Sequence, residues 1–149
     1  MTKTSNAKFA SFTVYLLAVL GLIFLIYKRL LFADHVVGII VQVLSACLMI
    51  WARITFGSRS FHAIANTTEG RLVTNGPYRW LRHPIYASVI YFVWAGVLCH
   101  SLIGAIAAAV LISLSLIGRM LLEESFLKVA YNEYAVYSKR TSRLIPFLF

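Results

Sequence analysis

From Ile85 to Gly118 the chain runs for 34 residues without a Lys, Arg, Asp or Glu. As one helix that run would be about 51 Å long, against roughly 30 Å of hydrocarbon in a bilayer. A soluble domain of 149 residues cannot wrap it, because only 13% of the chain is charged and 60% is hydrophobic, where soluble domains carry about 25% charged residues. The run therefore belongs in a membrane and folds back on itself. We place the break near Cys99-His100-Ser101, giving spans over 85–99 and 102–118 as a tight helical hairpin. Gly96, Gly104 and the Ala105 to Ala109 stretch would let the two backbones approach closely. One tilted span plus a buried or re-entrant segment is the alternative.

Two further apolar stretches precede it. Residues 9–27 hold no charge and are long enough to cross. Tyr27-Lys28-Arg29 follows them where a small-x-small cleavage site would stand, so they read as a retained anchor. Residues 36–52 form the second span, with Gln42 as its one amide, expected to face another helix. The fold class is an all-α membrane protein in a single domain, residues 1–149. It has about four transmembrane helices, a loop over 53–84 and C-terminal helices over 119–149. Four spans put the N-terminus, that loop and the tail on one side, with 12 of the 14 Lys and Arg. The positive-inside bias makes that side cytoplasmic, with both termini. The net charge of +9 accordingly suggests anionic headgroups, not nucleic acid. Asn66 to Gly70 and Asn75 to Pro77 read as turns, and Trp51 to Gly57 as a possible short surface helix. Asn66-Thr67-Thr68 fits a glycosylation acceptor, but on the cytoplasmic side. Cys47 and Cys99 have no metal-type spacing and read as small buried residues. No metal site is expected.

Two polar clusters stand on the cytoplasmic side of the hairpin. Arg82, His83 and Tyr86 begin the third span; Arg119, Glu123 and Glu124 follow the fourth. A hairpin returns the chain to the face it left, so the clusters should meet. Arg119 and Glu123 lie four apart, a spacing that also serves an ordinary intrahelical ion pair. Tyr131, Tyr134 and Tyr137 also fit an interfacial aromatic belt. Together these residues describe a polar pocket roofed by the tail and floored by membrane helices. Such a pocket would hold a soluble charged ligand beside a lipid-borne one.

The string Gly76-Pro-Tyr-Arg-Trp-Leu-Arg-His-Pro-Ile-Tyr86, then Glu123-Glu124-Ser-Phe-Leu127, Tyr134, Tyr137 and Pro146, resembles the isoprenylcysteine carboxyl methyltransferase family. The wider group includes the phospholipid methyltransferases. The resemblance covers Trp51 to Pro146 and implies a membrane-embedded enzyme using S-adenosylmethionine. It implies a cofactor site lined by Gly76, Pro77, Tyr78, Arg82, His83, Pro84 and Tyr86. Glu123 and Glu124 would contact the amino-acid or ribose portion, and Tyr134 and Tyr137 would close a lid. Arg119 matches an Arg proposed to act on the substrate carboxylate, with Glu123 beside it as the second catalytic candidate. The chain departs from the family pattern at Ser88, where Gly is usual, and at Ala130-Tyr131, where Phe-Gly is usual. Four spans suggest a compact prokaryotic member in a bacterial or archaeal inner membrane.

The implied acceptor is a membrane lipid or lipid-like molecule. A carboxylate is ionised at neutral pH and needs no general base, only positioning, which a bidentate Arg supplies. A phospholipid amine must be neutral to attack, and His83 or a Glu would be its base. Arg119 favours the carboxylate. A non-catalytic membrane module and a sterol-reductase-like enzyme are the remaining alternatives.

Overall fold

The computed structural model describes residues 2–57 and 72–148, with side chains from residue 12 onward. Among these residues there are helices and no named strand: α1 (Thr2–Tyr27), α2 (Val36–Phe56), a 3-10 turn (Gly76–Arg79), α3 (Pro84–His100), α4 (Ile103–Ala130) and α5 (Tyr134–Arg140). The turn over Asn66 to Gly70 and the acceptor motif at Asn66 lie outside the described residues. Trp51 to Phe56, read as continuing into a possible short surface helix, is the last part of α2.

Helices α2 and α4 are each long and apolar enough to cross a membrane; Phe12–Tyr27 and Pro84–His100 are shorter apolar helices. Only 17% of the apolar stretch of α2 is buried, and Ile40, Val43, Leu44 and Ile50 are exposed. A helix apolar on the outside is expected in lipid and not in water, so the chain is an all-α membrane protein. Cys47, read above as buried, is exposed; Cys99 is partly buried.

The break in the long run falls where expected. α3 ends at His100, Ser101 takes a left-handed conformation with φ of 50°, and its N–H bonds back to the Val97 carbonyl. α4 then starts at Ile103 and continues to Ala130 as one helix. The bundle packs mainly as two pairs, α2 with α3 and α1 with α4, joined by α3 against α4. The core of Ala18, Leu25, Leu31, Val93, Val97, Ala105, Ala109 and Ile112 is shared by α1, α3, α4 and the α1–α2 connection.

The role of Gly96 differs from the one expected. A Cβ there would stand 1.9 Å from the Leu31 carbonyl oxygen. Gly96 thus admits the backbone of the α1–α2 connection, not α4. That connection is pinned by Gln42, whose Nε2 donates to the carbonyls of Leu31 (2.8 Å) and Phe92 (3.1 Å), while its Oε1 accepts from the Ala33 N–H (3.0 Å). The amide faces protein, as a buried amide must, and ties the connection to both α2 and α3.

Candidate active site

The Gly76–Arg79 turn presses on the end of α2. Gly76 has a φ of +55°, and a Cβ on it would lie 2.6 Å from the Thr55 hydroxyl. Both facts favour glycine. Pro77 occupies the first turn of the 3-10 helix, where its missing N–H is harmless. Tyr78 is buried against the Phe56 ring, with centroids 5.4 Å apart. Pro84 in turn opens α3, with His83 as the residue before its first turn.

The tail returns to this segment as a strap. Leu81 and Ser142 form a parallel bridge. The Arg82 N–H donates to the Ser142 carbonyl (2.8 Å), the Ser142 N–H to the Trp80 carbonyl (3.0 Å), and the His83 N–H to the Arg143 carbonyl (3.2 Å). Leu81, Ala87, Met120 and Leu144 pack beneath it. The Tyr91 hydroxyl donates to the Leu144 carbonyl, and the Tyr137 hydroxyl to the Tyr78 carbonyl at 2.8 Å. The 78–83 segment is thereby held by α3, by α5 and by the strap at once.

Two carboxylates organise the polar interior. Glu124, 2% exposed, accepts from Arg82 Nη1 at 3.0 Å and from Arg143 through Nε (3.2 and 3.3 Å) and Nη2 (3.3 Å). His83 Nε2 stands 3.5 Å away. Burial pushes the Glu124 carboxyl up, but His83, Arg143 and Arg82 outweigh it and hold the group at about 2. It stays ionised at neutral pH on the extension of α4 beyond the apolar stretch that ends at Gly118. Glu123 faces the other way: its Oε1 accepts from the Tyr86 hydroxyl and pairs with Arg119 Nη2 at 3.3 Å. His83 Nδ1 is 3.9 Å from its Oε2. Arg119 Nε donates to the Tyr86 oxygen at 2.7 Å, and its guanidinium lies over the Tyr15 ring, 5.4 Å from the centroid. His83 stacks on Tyr86 with centroids 5.6 Å apart, bridging the two groups.

Tyr134 is 1% exposed. Burial, with the Glu124 charge adding to it and Arg82 opposing, pushes its phenol up to about 12. Burial likewise raises Tyr78 and Tyr137. All three are neutral hydrogen-bonding groups at physiological pH.

The structure thus joins Arg82, His83, Tyr86, Arg119, Glu123 and Glu124 in one network. Tyr78 and Tyr137 lie one layer out, and Gly76, Pro77 and Pro84 shape the backbone. Two participants were missed. Arg143 reads in the sequence as one more solvated tail cation. Tyr15 is one aromatic inside an apolar run, with no polar neighbour to flag it.

The sequence model of the phospholipid methyltransferase family (PEMT) matches residues 33–134. Among known proteins, the human protein-S-isoprenylcysteine O-methyltransferase is 32% identical over 120 residues, covering 76% of this chain and 41% of that protein. The Arabidopsis thaliana protein-S-isoprenylcysteine O-methyltransferase B is 33% identical over 115 residues, covering 74% of this chain and 58% of that one. The cobalt-zinc-cadmium resistance protein CzcN of Cupriavidus metallidurans is 31% identical over 84 residues, 56% of this chain and 39% of that protein. The chain therefore spans about two fifths to three fifths of the length of these relatives. No solved structure gives a significant match. The family match runs across more than half of the chain, through both polar clusters, and it shows the family: the chain belongs to the phospholipid methyltransferase family, a group that takes in the isoprenylcysteine carboxyl methyltransferases.

Proposed function

We propose that the chain is an S-adenosylmethionine-dependent methyltransferase whose acceptor is a carboxylate on a membrane-borne, isoprenylcysteine-like molecule. One observation carries this reading. Arg119 is buried, at 4% exposure, at the mouth of the α4 extension, and is oriented on two sides by Tyr86 and Glu123. A buried, pre-oriented guanidinium suits a carboxylate.

The residues present fit S-adenosylmethionine. Arg82 Nε, His83 Nε2 and the Tyr134 hydroxyl are buried beside the Glu124 carboxylate with hydrogen-bonding capacity left incompletely used. Such atoms are uncommon in folded proteins and call for an explanation; the one proposed here is a bound ligand. Grouped around the Glu124 carboxylate, they offer donors for a carboxylate and an acceptor for an ammonium, the two ends of an amino-acid moiety. Gly76, Pro77, Tyr78, Pro84 and Tyr137 would shape the rest of the site. When bound, the cofactor supplies a methyl group activated by a sulfonium.

This chain's residues would do the remainder. Arg119 binds the acceptor carboxylate, and Tyr86 and Glu123 fix the plane of its guanidinium. The acceptor is already ionised, so no side chain has to take a proton. Catalysis is then positioning in a site from which the strap and α5 exclude water. The charge distribution supports a topology with both termini and the 53–84 loop in the cytoplasm, across spans 9–27, 36–52, 85–99 and 102–118. A bacterial or archaeal inner membrane suits that arrangement.

The test is methyl transfer from methyl-labelled S-adenosylmethionine to a panel of prenylcysteine and lipid acceptors, followed by mild alkali. Release of label as volatile methanol is expected, because an ester hydrolyses. Label retained on the lipid would refute the carboxylate and point to an amine, with His83 as the base. His83→Ala should weaken S-adenosylhomocysteine binding, whereas Arg119→Ala should lower turnover with that binding retained. Equal loss of binding in both would remove Arg119 from the acceptor side.

A further inference from the structure

Helix α1 lies outside the family match, which begins at residue 33, and nothing in the motifs assigns it a part in the chemistry. It nevertheless runs alongside α4 in a defined register. A Cβ on Gly104 would come nearest to Phe24, one on Gly21 would meet Ile112, and one on Gly118 would meet Val14. This antiparallel register places Tyr15 beside Arg119. The Arg119 guanidinium carbon is 5.4 Å from the Tyr15 centroid, inside the range of a cation–π contact.

We infer that Tyr15 is a positioning residue for Arg119, and that α1 thereby supplies one wall of the acceptor end of the site. The inference rests on the carboxylate reading of Arg119. Tyr86 and Glu123 hold the guanidinium through its N–H groups; its central carbon stands over the face of the Tyr15 ring. Edge contacts alone leave the plane free to tilt, and bidentate recognition of a carboxylate depends on that plane. Arg119 is 4% exposed while Tyr15 is 39% exposed. The ring therefore stands between the guanidinium and the apolar surface of α1, where Phe12 and Leu16 are exposed. A lipid-borne carboxylate approaching from the α1 side meets Tyr15 first. The contact is with the ring face, so the hydroxyl is dispensable and the aromatic ring is not.

The experiment compares wild type with Tyr15→Phe and Tyr15→Leu in detergent or nanodiscs. Tyr15→Phe should keep the acceptor kcat/KM within about twofold, whereas Tyr15→Leu should lower it by roughly 5- to 30-fold, the value of a partly desolvated cation–π contact. S-adenosylhomocysteine affinity should be unchanged in both, and both variants should remain folded at the assay temperature. A second readout needs no turnover: the Arg119 Nε–H resonance should move in Tyr15→Leu and stay near its wild-type position in Tyr15→Phe. An unchanged kcat/KM in Tyr15→Leu, or equal losses in both variants, overturns the inference. So does a loss of cofactor affinity, or unfolding under the assay conditions, that accounts for the loss of rate. Were wild type to transfer no methyl group, the carboxylate reading would fall. The resonance would then still decide whether Tyr15 holds Arg119, and an unmoved signal would refute that as well.

Discussion

Replacing Glu124 by Gln tests whether the buried carboxylate is the keystone between the tail strap and the 80–83 segment. The side chain keeps its shape and loses its charge. In the wild type the carboxyl sits at about 2 against an ordinary 4.5. At about 1.4 kcal/mol per pH unit, that difference corresponds to about 3 kcal/mol of folding stability. The figure agrees with the roughly 3–5 kcal/mol lost when one partner of a buried ion pair is removed. Arg82 is left without its carboxylate at 12% side-chain exposure, so water cannot replace the lost partner. The sign follows from the direction of the displacement. A carboxyl whose folded value is depressed contributes fully above its unfolded value, and the contribution fades as pH falls from 4.5 towards 2. Glu124→Gln should therefore be about 3 kcal/mol less stable than wild type at pH 7, and the gap should shrink steadily below pH 4.5. Chemical unfolding in detergent at pH 7, 5, 4 and 3 measures it. A difference under about 1 kcal/mol at pH 7, or one that does not change with pH, would refute the argument that His83, Arg143 and Arg82 hold Glu124 ionised.

Two other substitutions, with Gly104→Ala as a comparison, probe how the α1–α2 connection is built. Gly96→Ala puts a Cβ 1.9 Å from the Leu31 carbonyl oxygen, so backbone must move, and a loss of about 3 kcal/mol is expected. Gly104→Ala meets only Phe24, at 4.0 Å, and should be neutral or gain up to about 1 kcal/mol from helix propensity; similar losses in both would contradict the packing described. Gln42→Leu removes the partners of the Leu31 and Phe92 carbonyls and of the Ala33 N–H. It should destabilise by roughly 2 kcal/mol and accelerate hydrogen exchange at Ala33, while exchange at the old rate would show that the amide does not pin the connection.

Much of this architecture is a local property of the chain. A charge-free run longer than a bilayer has to break, and Cys99-His100-Ser101 marks where it does. Asn75-Gly76-Pro77 announces a turn, and Pro84 opens a helix. Polar groups at both open ends of a hairpin must meet, which brings Arg82, His83 and Tyr86 to Arg119, Glu123 and Glu124. Each inference needs only chain length, charge and backbone chemistry over a few tens of residues.

What depends on which helices touch was not legible. α1, α3 and α4 carry apolar residues all round, so no polar face says which side meets a neighbour. The pairing of α1 with α4, and with it the contact of Tyr15 and Arg119, emerges only from side-chain shape in three dimensions. The same holds for Gly96, whose missing side chain makes room for a carbonyl 65 residues earlier in the chain. Arg143 is one of five cations after Gly118. Only the bridge of Ser142 to Leu81 singles it out, by carrying it to a carboxylate that burial would otherwise neutralise. Composition and motif determined that this is a helical membrane protein with one polar site. The tertiary structure decided which charges that site pairs, because pairing is set by distance across the fold, and distance is not written along the chain.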